Sequence, residues 1–140
     1  MDDAKGDSSV NAKRATVLLV GLDSSSVDFS RWPQITKEKL EAAFEEVRTR
    51  LSERGFRVHW CLTDDGATAR KVLRAAIQES RPDVVSIGAG VRADPEHLQL
   101  FEDLVNLTHE LAPQARFAFN TDPLNTVRSV ERAAAHVGGR

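Results

Sequence analysis

Hydrophobic positions along the chain fall into stretches that alternate between two periods. Residues 16–22 read TVLLVGL, a continuous apolar run that predicts a strand covered on both faces. Leu40, Ala43, Phe44, Val47 and Leu51 then recur at helical spacing behind Thr36, a cap candidate, with Gly55 as the stop signal. They predict a helix over about 36–54. In FRVHWCL (56–62), Phe56, Val58, Trp60 and Leu62 alternate with Arg57, His59 and Cys61, which predicts a strand with one less-buried face, at a sheet edge. Asp64, Asp65 and Gly66 form a turn and cap ahead of Ala69, Val72, Leu73, Ala76 and Ile77, a second amphipathic helix ending near Ser80 before Pro82. A third strand is expected over DVVSIGAGV (83–91). Asp94 and Pro95 occupy cap and first-turn positions of a third helix carrying Leu98, Phe101, Leu104, Val105 and Leu111 until Pro113. RFAFN (116–120) reads as a fourth strand, and Asp122-Pro123 opens a last helix through Val127 and Val130 to about His136.

Four strand-then-helix units imply parallel strands joined by right-handed crossovers. The expected architecture is one three-layer α/β/α domain over residues 15–137, with a four-stranded parallel sheet in the order 2-1-3-4. Residues 1–14 are small, polar and charged without a periodic apolar face, and are expected to form a flexible arm; the GGR end (138–140) is expected to fray.

Composition narrows the functions open to such a domain. Across 140 residues, 19 basic and 21 acidic side chains leave a net charge of -2 without a Lys/Arg block, so nucleic acid is not an expected partner. No apolar run approaches the roughly 20 residues of a spanning helix, so no membrane partner is expected either. The single cysteine, Cys61, forms no internal disulfide, and the first 14 residues lack the apolar core of a signal peptide; a reducing cytoplasm is the expected compartment. No pair among the four histidines has metal-ligand spacing, and one cysteine does not complete a zinc site. A four-stranded sheet exposes two edges, so a homo-oligomer is expected, with Trp32, Trp60 and Phe119 available to cover them.

In an open sheet of this order, ligands bind outside the carboxyl ends of the strands where winding reverses, here between strands 1 and 3. Three polar or glycine-rich loops reach that crevice. They supply the candidate ligand-binding residues Ser24, Ser25, Gly88, Gly90, Arg92, Asn120 and Thr121. The small residues at Gly88-Ala89-Gly90 allow a ligand close to the backbone, and the Arg92 guanidinium suits a carboxylate or phosphate; the competing reading is a plain turn with a solvated arginine. Asp94 and Asp122 read as helix caps that use the free N–H groups an anion would otherwise take. The loop after strand 1 is long and carries Phe29, Trp32 and Pro33, as a lid, a plug of the core end or an interface. Asp23 and His97 are the candidate acid and base, against the alternative of a solvated helical histidine. Cys61 reads as a buried, inert thiol.

Residues 16–136 resemble the flavodoxin-like, Rossmann-like group that includes flavodoxins and response-regulator receiver domains. The likeness implies a crevice site. It departs from receivers at Ile87-Gly88-Ala89-Gly90, where a phospho-accepting aspartate belongs, and in lacking the fifth-strand lysine; Ser24-Ser25-Ser26 lacks the glycine and threonine pattern of a flavodoxin phosphate loop. The segment 82–123 is similar in cadence to GDSL-type esterases, in which a strand ends in a Gly-x-Asn motif, but Arg92 stands at the asparagine position and no Asp-x-x-His follows. Ser24 is then the nearest nucleophile candidate. PDVVSIGAGVR and FEDLVNLTHELAPQARFAFNT also resemble a group of small uncharacterised bacterial proteins, which implies no chemistry.

Three functional readings follow. The first is a non-catalytic or regulatory module binding a small anionic molecule at the crevice, its cofactor unspecified. The second is a small hydrolase- or lyase-type enzyme using Asp23 and His97 there. The third is an assembly protein acting through homo-oligomerisation.

Overall fold

A computed structural model describes residues 15–137. The expected arm (1–14) and frayed end (138–140) lie outside the described residues. The elements run β1 (Thr16–Leu22), α1 (Lys37–Glu53), β2 (Arg57–Thr63), α2 (Ala69–Ser80), β3 (Val84–Ile87), α3 (Ala89–Arg92, a single turn), α4 (Leu98–Leu111), β4 (Arg116–Phe119) and α5 (Thr126–Ala134). The sheet is parallel throughout, in the order β2-β1-β3-β4. This is the expected 2-1-3-4 arrangement, a three-layer α/β/α domain of flavodoxin-like or Rossmann-like fold.

The period-2 geometry of β1 divides the core. Leu18, Val20 and Leu22 join Val85 and Ile87 under α2 and α4, where Leu73, Ile77, Leu104 and Leu107 are buried. Val17 and Leu19 join Val84 and Ala118 under α1 and α5, against Val47, Leu51, Val127 and Val130. All seven residues of β1 are buried, as an unbroken apolar run on a central strand requires. Helix boundaries follow local chemistry. Thr36 Oγ1 accepts from Lys39 N at 3.1 Å to start α1, and Gly55, at φ +91°, turns the chain into β2.

Three sequence expectations are corrected. Strand 3 ends at Ile87 rather than Val91, because Gly88 O accepts from Val91 N (3.1 Å) and Arg92 N (3.0 Å), closing a helical turn that buries Val91 in the core. Strand 4 stops one residue short, at Phe119. In β2 the burial alternation shifts along the strand: Val58 and Trp60 pack beneath α1, with the Trp60 ring 4.9 Å from that of Phe44, but Cys61 and Thr63 are buried on the opposite face and Leu62 is exposed. On this α2-facing side Cys61 and Thr63, in the carboxyl half of the strand, are buried, and Arg57 and His59, in the amino half, are exposed. Among the described residues, no helix is long and apolar enough to cross a membrane.

Candidate functional site

The carboxyl ends of β1, β3 and β4 carry the three loops that the topology directs to one crevice. At β1, Asp23 N donates to Thr63 O (2.8 Å), and the chain enters a 3-10 turn, Ser24–Ser26. Asp23 Oδ1 accepts from both Ser25 N and Ser25 Oγ at 3.0 Å. The Ser25 backbone N–H, then its hydroxyl, hold the Asp23 carboxyl below its ordinary range, with a smaller contribution from Lys37. Ser24 is buried, and its hydroxyl donates to Glu41 Oε2 at 2.7 Å.

At β3, Gly88 N donates to Val20 O (3.0 Å), anchoring the start of the α3 turn on β1. Neither crevice glycine adopts positive φ. A Cβ at Gly88 would lie 3.7 Å from Val20 O, an ordinary contact, and one at Gly90 would meet nothing within 4 Å. The turn itself therefore does not require glycine, and Gly90 borders open space.

Asn120, at the end of β4, fixes this turn. Its Oδ1 accepts from Ala89 N at 3.1 Å, its Nδ2 donates to Thr126 Oγ1 at 2.7 Å, and its backbone oxygen accepts from Arg92 Nη2. Strand 4 ends where it does because Asn120 turns to these partners. The Arg92 guanidinium lies 5.6 Å from the centroid of Phe119, and its Nε is buried without a hydrogen-bond partner. Thr121 is exposed and folded back on Asn125, accepting from Asn125 Nδ2 at Oγ1 (2.7 Å) and donating from its N–H to Asn125 Oδ1 (3.2 Å).

Asp94 and Asp122 cap the turns that lead into α4 and α5, accepting from Glu96 N (2.9 Å) and Leu124 N (2.7 Å). Asp94 does more. Its buried carboxylate also accepts from Arg31 Nη1 at 2.8 Å and Nη2 at 3.3 Å, so the long loop after β1 is tied across the end of the sheet to the start of α4. The Glu96 N–H first, then Arg31 and His97, hold the Asp94 carboxyl below its ordinary range. Val27, rather than an aromatic residue, seats this loop on the core; Trp32 is exposed and Phe29 half-buried.

His97 Nδ1 lies 3.3 Å from Gly90 O and 3.5 Å from Asp94 Oδ2. The structure thus groups Gly88, Gly90, Arg92, His97 and Asn120 around the α3 turn, and Ser24, Ser25 and Asp23 around the end of β1. No hydrogen bond joins Asp23 to His97 among the described residues, nor is there a cluster of three or more His, Cys, Asp or Glu suited to a metal ion. Cys61 is buried in the core, which pushes its thiol up to about 11.

Sequence reasoning missed Arg31, Glu41 and Thr126. Arg31 and Asp94 are 63 positions apart, and Ser24 and Glu41 are 17 apart, beyond the reach of any local pattern. Thr126 had a usable signal, since a hydroxyl in the first turn of an amphipathic helix, on its buried face beside Val127 and Val130, needs a polar partner.

The chain matches no protein-family model, no curated protein and no solved structure. The resemblance to the flavodoxin-like and Rossmann-like group is one of fold, carried by the strand order and the three layers.

Proposed function

We propose that this domain binds a small anionic molecule at the carboxyl-end crevice, with Arg92 as its principal anion donor. The observation that carries the reading is the Arg92 Nε, a buried charged donor with no partner while Nη2 is spent on Asn120. A desolvated guanidinium N–H left unpaired is costly, and an oxyanion acceptor admitted by a shift of the Arg92 side chain relieves that cost. Gly90 borders open space next to it, and Gly88, Asn120 and Thr121 complete this side of the crevice, with Ser24 and Ser25 on the β1 side. Phosphate and carboxylate groups both fit the chemistry of a single guanidinium with neighbouring hydroxyl and amide groups.

The test is a thermal-shift titration with inorganic phosphate, nucleotides, flavins, phosphorylated metabolites and small carboxylates, on the protein and on Arg92→Ala, each referred to its own ligand-free midpoint. A ligand at about a hundred times its Kd stabilises the wild type by about 2.7 kcal/mol, and Arg92→Ala removes that increment. Equal shifts in both proteins, or none in the wild type, would refute the assignment. A second reading, turnover of a small ester or carbonyl compound, draws on His97, which sits at the rim against Gly90 O. It is checked by assaying any compound that shifts the midpoint for hydrolysis or elimination, with His97→Gln as the control.

A further inference from the structure

Among the described residues the outer edge of β4 is unpaired, and its two faces differ in chemistry. Arg116 N donates to Asp83 O (2.9 Å), so Arg116 and Ala118 turn their backbone groups toward β3, and the N–H and C=O groups of Phe117 and Phe119 point outward. Of these four groups, only Phe119 O has a partner among the described residues, a long 3.4 Å bond from Arg132 Nη2. Among the described residues no proline, bulge or covering element blocks this edge, and the protection it has is charged side chains, Arg116 on the strand and Arg132 at the Phe119 carbonyl.

On the α4 side the strand presents Phe117 and Phe119, stacked with ring centroids 5.8 Å apart, and Phe101 meets Phe119 edge-on at 6.1 Å. Phe119 remains 39% exposed and Leu98, one turn before Phe101 on α4, is 62% exposed. The α5 side presents guanidinium groups: Arg116 on the strand, Arg132 at the Phe119 carbonyl, and Arg128 one helical turn earlier on the same exposed face. None of these three forms an ion pair among the described residues, and Glu131, the carboxylate of α5, is already taken by Arg54.

We propose that the β4 edge is a docking site for an extended acidic peptide, which adds as a fifth strand and whose alternate side chains are apolar toward Phe117 and Phe119 and carboxylate toward Arg116, Arg128 and Arg132. Backbone pairing to the outward groups of Phe117 and Phe119 supplies up to four hydrogen bonds, and the alternation of the faces sets the sequence preference. Charge selects this occupant over a second copy of the chain. Antiparallel self-pairing about Ala118 is the register that would satisfy the same backbone groups, and it brings the arginine-bearing α5 faces of two copies together at the two-fold axis. The edge adjoins the anion crevice at Phe119, on whose ring Arg92 packs at 5.6 Å, but its backbone groups and the guanidinium groups of Arg116, Arg128 and Arg132 lie outside the crevice.

The probe is a fluorescein-labelled peptide of about seven alternating valine and glutamate residues, long enough to span a short strand. Binding is read by fluorescence anisotropy and by amide shifts of Phe117 and Phe119 in isotope-labelled protein. The peptide is expected to bind at least about tenfold more tightly than its valine and lysine counterpart, and Arg116→Glu/Arg132→Glu, checked for folding by circular dichroism, is expected to weaken it by at least about tenfold. N-methylation of alternate amides along the pairing edge abolishes binding if the peptide docks as a strand. No binding at millimolar peptide, equal binding of both peptides, or binding without a shift at Phe117 and Phe119 overturns the proposal. So does concentration-dependent self-association that protects those two amides, which would assign the edge to a second copy. Arg116→Glu/Arg132→Glu keeps any Arg92-dependent thermal shift of the crevice, so failure here is distinct from failure of the crevice reading.

Discussion

Asn120→Ala tests whether one side chain fixes the α3 turn. The residue is 7% exposed and holds two elements at once, accepting from Ala89 N at 3.1 Å and donating to Thr126 Oγ1 at 2.7 Å. Removing it leaves Ala89 N, half-buried and reachable by water, at a cost of about 1 kcal/mol, and the buried Thr126 hydroxyl at a cost of about 2 kcal/mol. The expected loss is about 3 kcal/mol, or about 12 °C in Tm for a domain of this size. Urea unfolding monitored by circular dichroism measures it. Thr126→Val alone is expected to cost about 1.5 kcal/mol by stranding Asn120 Nδ2, and the double variant less than the sum by about 1 kcal/mol, because the shared bond is lost only once. A loss below about 0.5 kcal/mol for Asn120→Ala, or strict additivity in the cycle, would show that the amide is solvated and that packing positions the α3 turn.

Acid should weaken the fold through its capping aspartates. Asp94, whose carboxyl is held below the ordinary 3.8 by Glu96 N–H and Arg31, adds stability that is fully present above the unfolded value and is lost as pH falls through the folded one. Urea midpoints are therefore expected to decline below about pH 4, and Asp94→Asn to flatten that decline in part, since Asp23, Asp28 and Asp64 are lowered as well. An unchanged acid slope in Asp94→Asn would remove Asp94 from the account. Cys61, with its thiol near 11 and buried, is expected to react with iodoacetamide at pH 8 at least about a hundredfold more slowly in the native protein than in urea. Equal rates would place the thiol at the surface.

The strand order was legible because each unit announces itself locally: TVLLVGL reads as a doubly covered strand, and the apolar spacing of 40–51 reads as a helix with a cap and a glycine stop. Topology then directed three loops to the carboxyl end of the sheet without any motif. Chain direction after β3 was not legible, because VSIGAGV is as apolar as a longer strand, and only the tertiary burial of Val91 shows that it curls. Leu62 left its expected buried environment for a related reason, while Cys61 is buried as its reading as an inert thiol expects. Alternation gives the two faces of a strand, but tertiary packing decides where along an edge strand each face is buried.

The contacts that organise the site were beyond local reading because they close over long sequence separations. Arg31 ties the β1 loop to Asp94, Gly88 N ties β3 to Val20, and Asn120 ties β4 to Ala89, so all three loops at the switch point are cross-linked to neighbours that already belong to the core or to a helix start. Each of these bonds restrains a segment that would otherwise lose entropy on binding. For the proposed anion site this implies loops that are largely ordered beforehand, with a shift of the Arg92 side chain needed to offer its Nε to a ligand. The β4 edge proposed above for peptide docking differs in kind, because apart from the Phe119 carbonyl its outward groups are backbone amides and carbonyls without partners among the described residues, which only another extended segment pairs in a row.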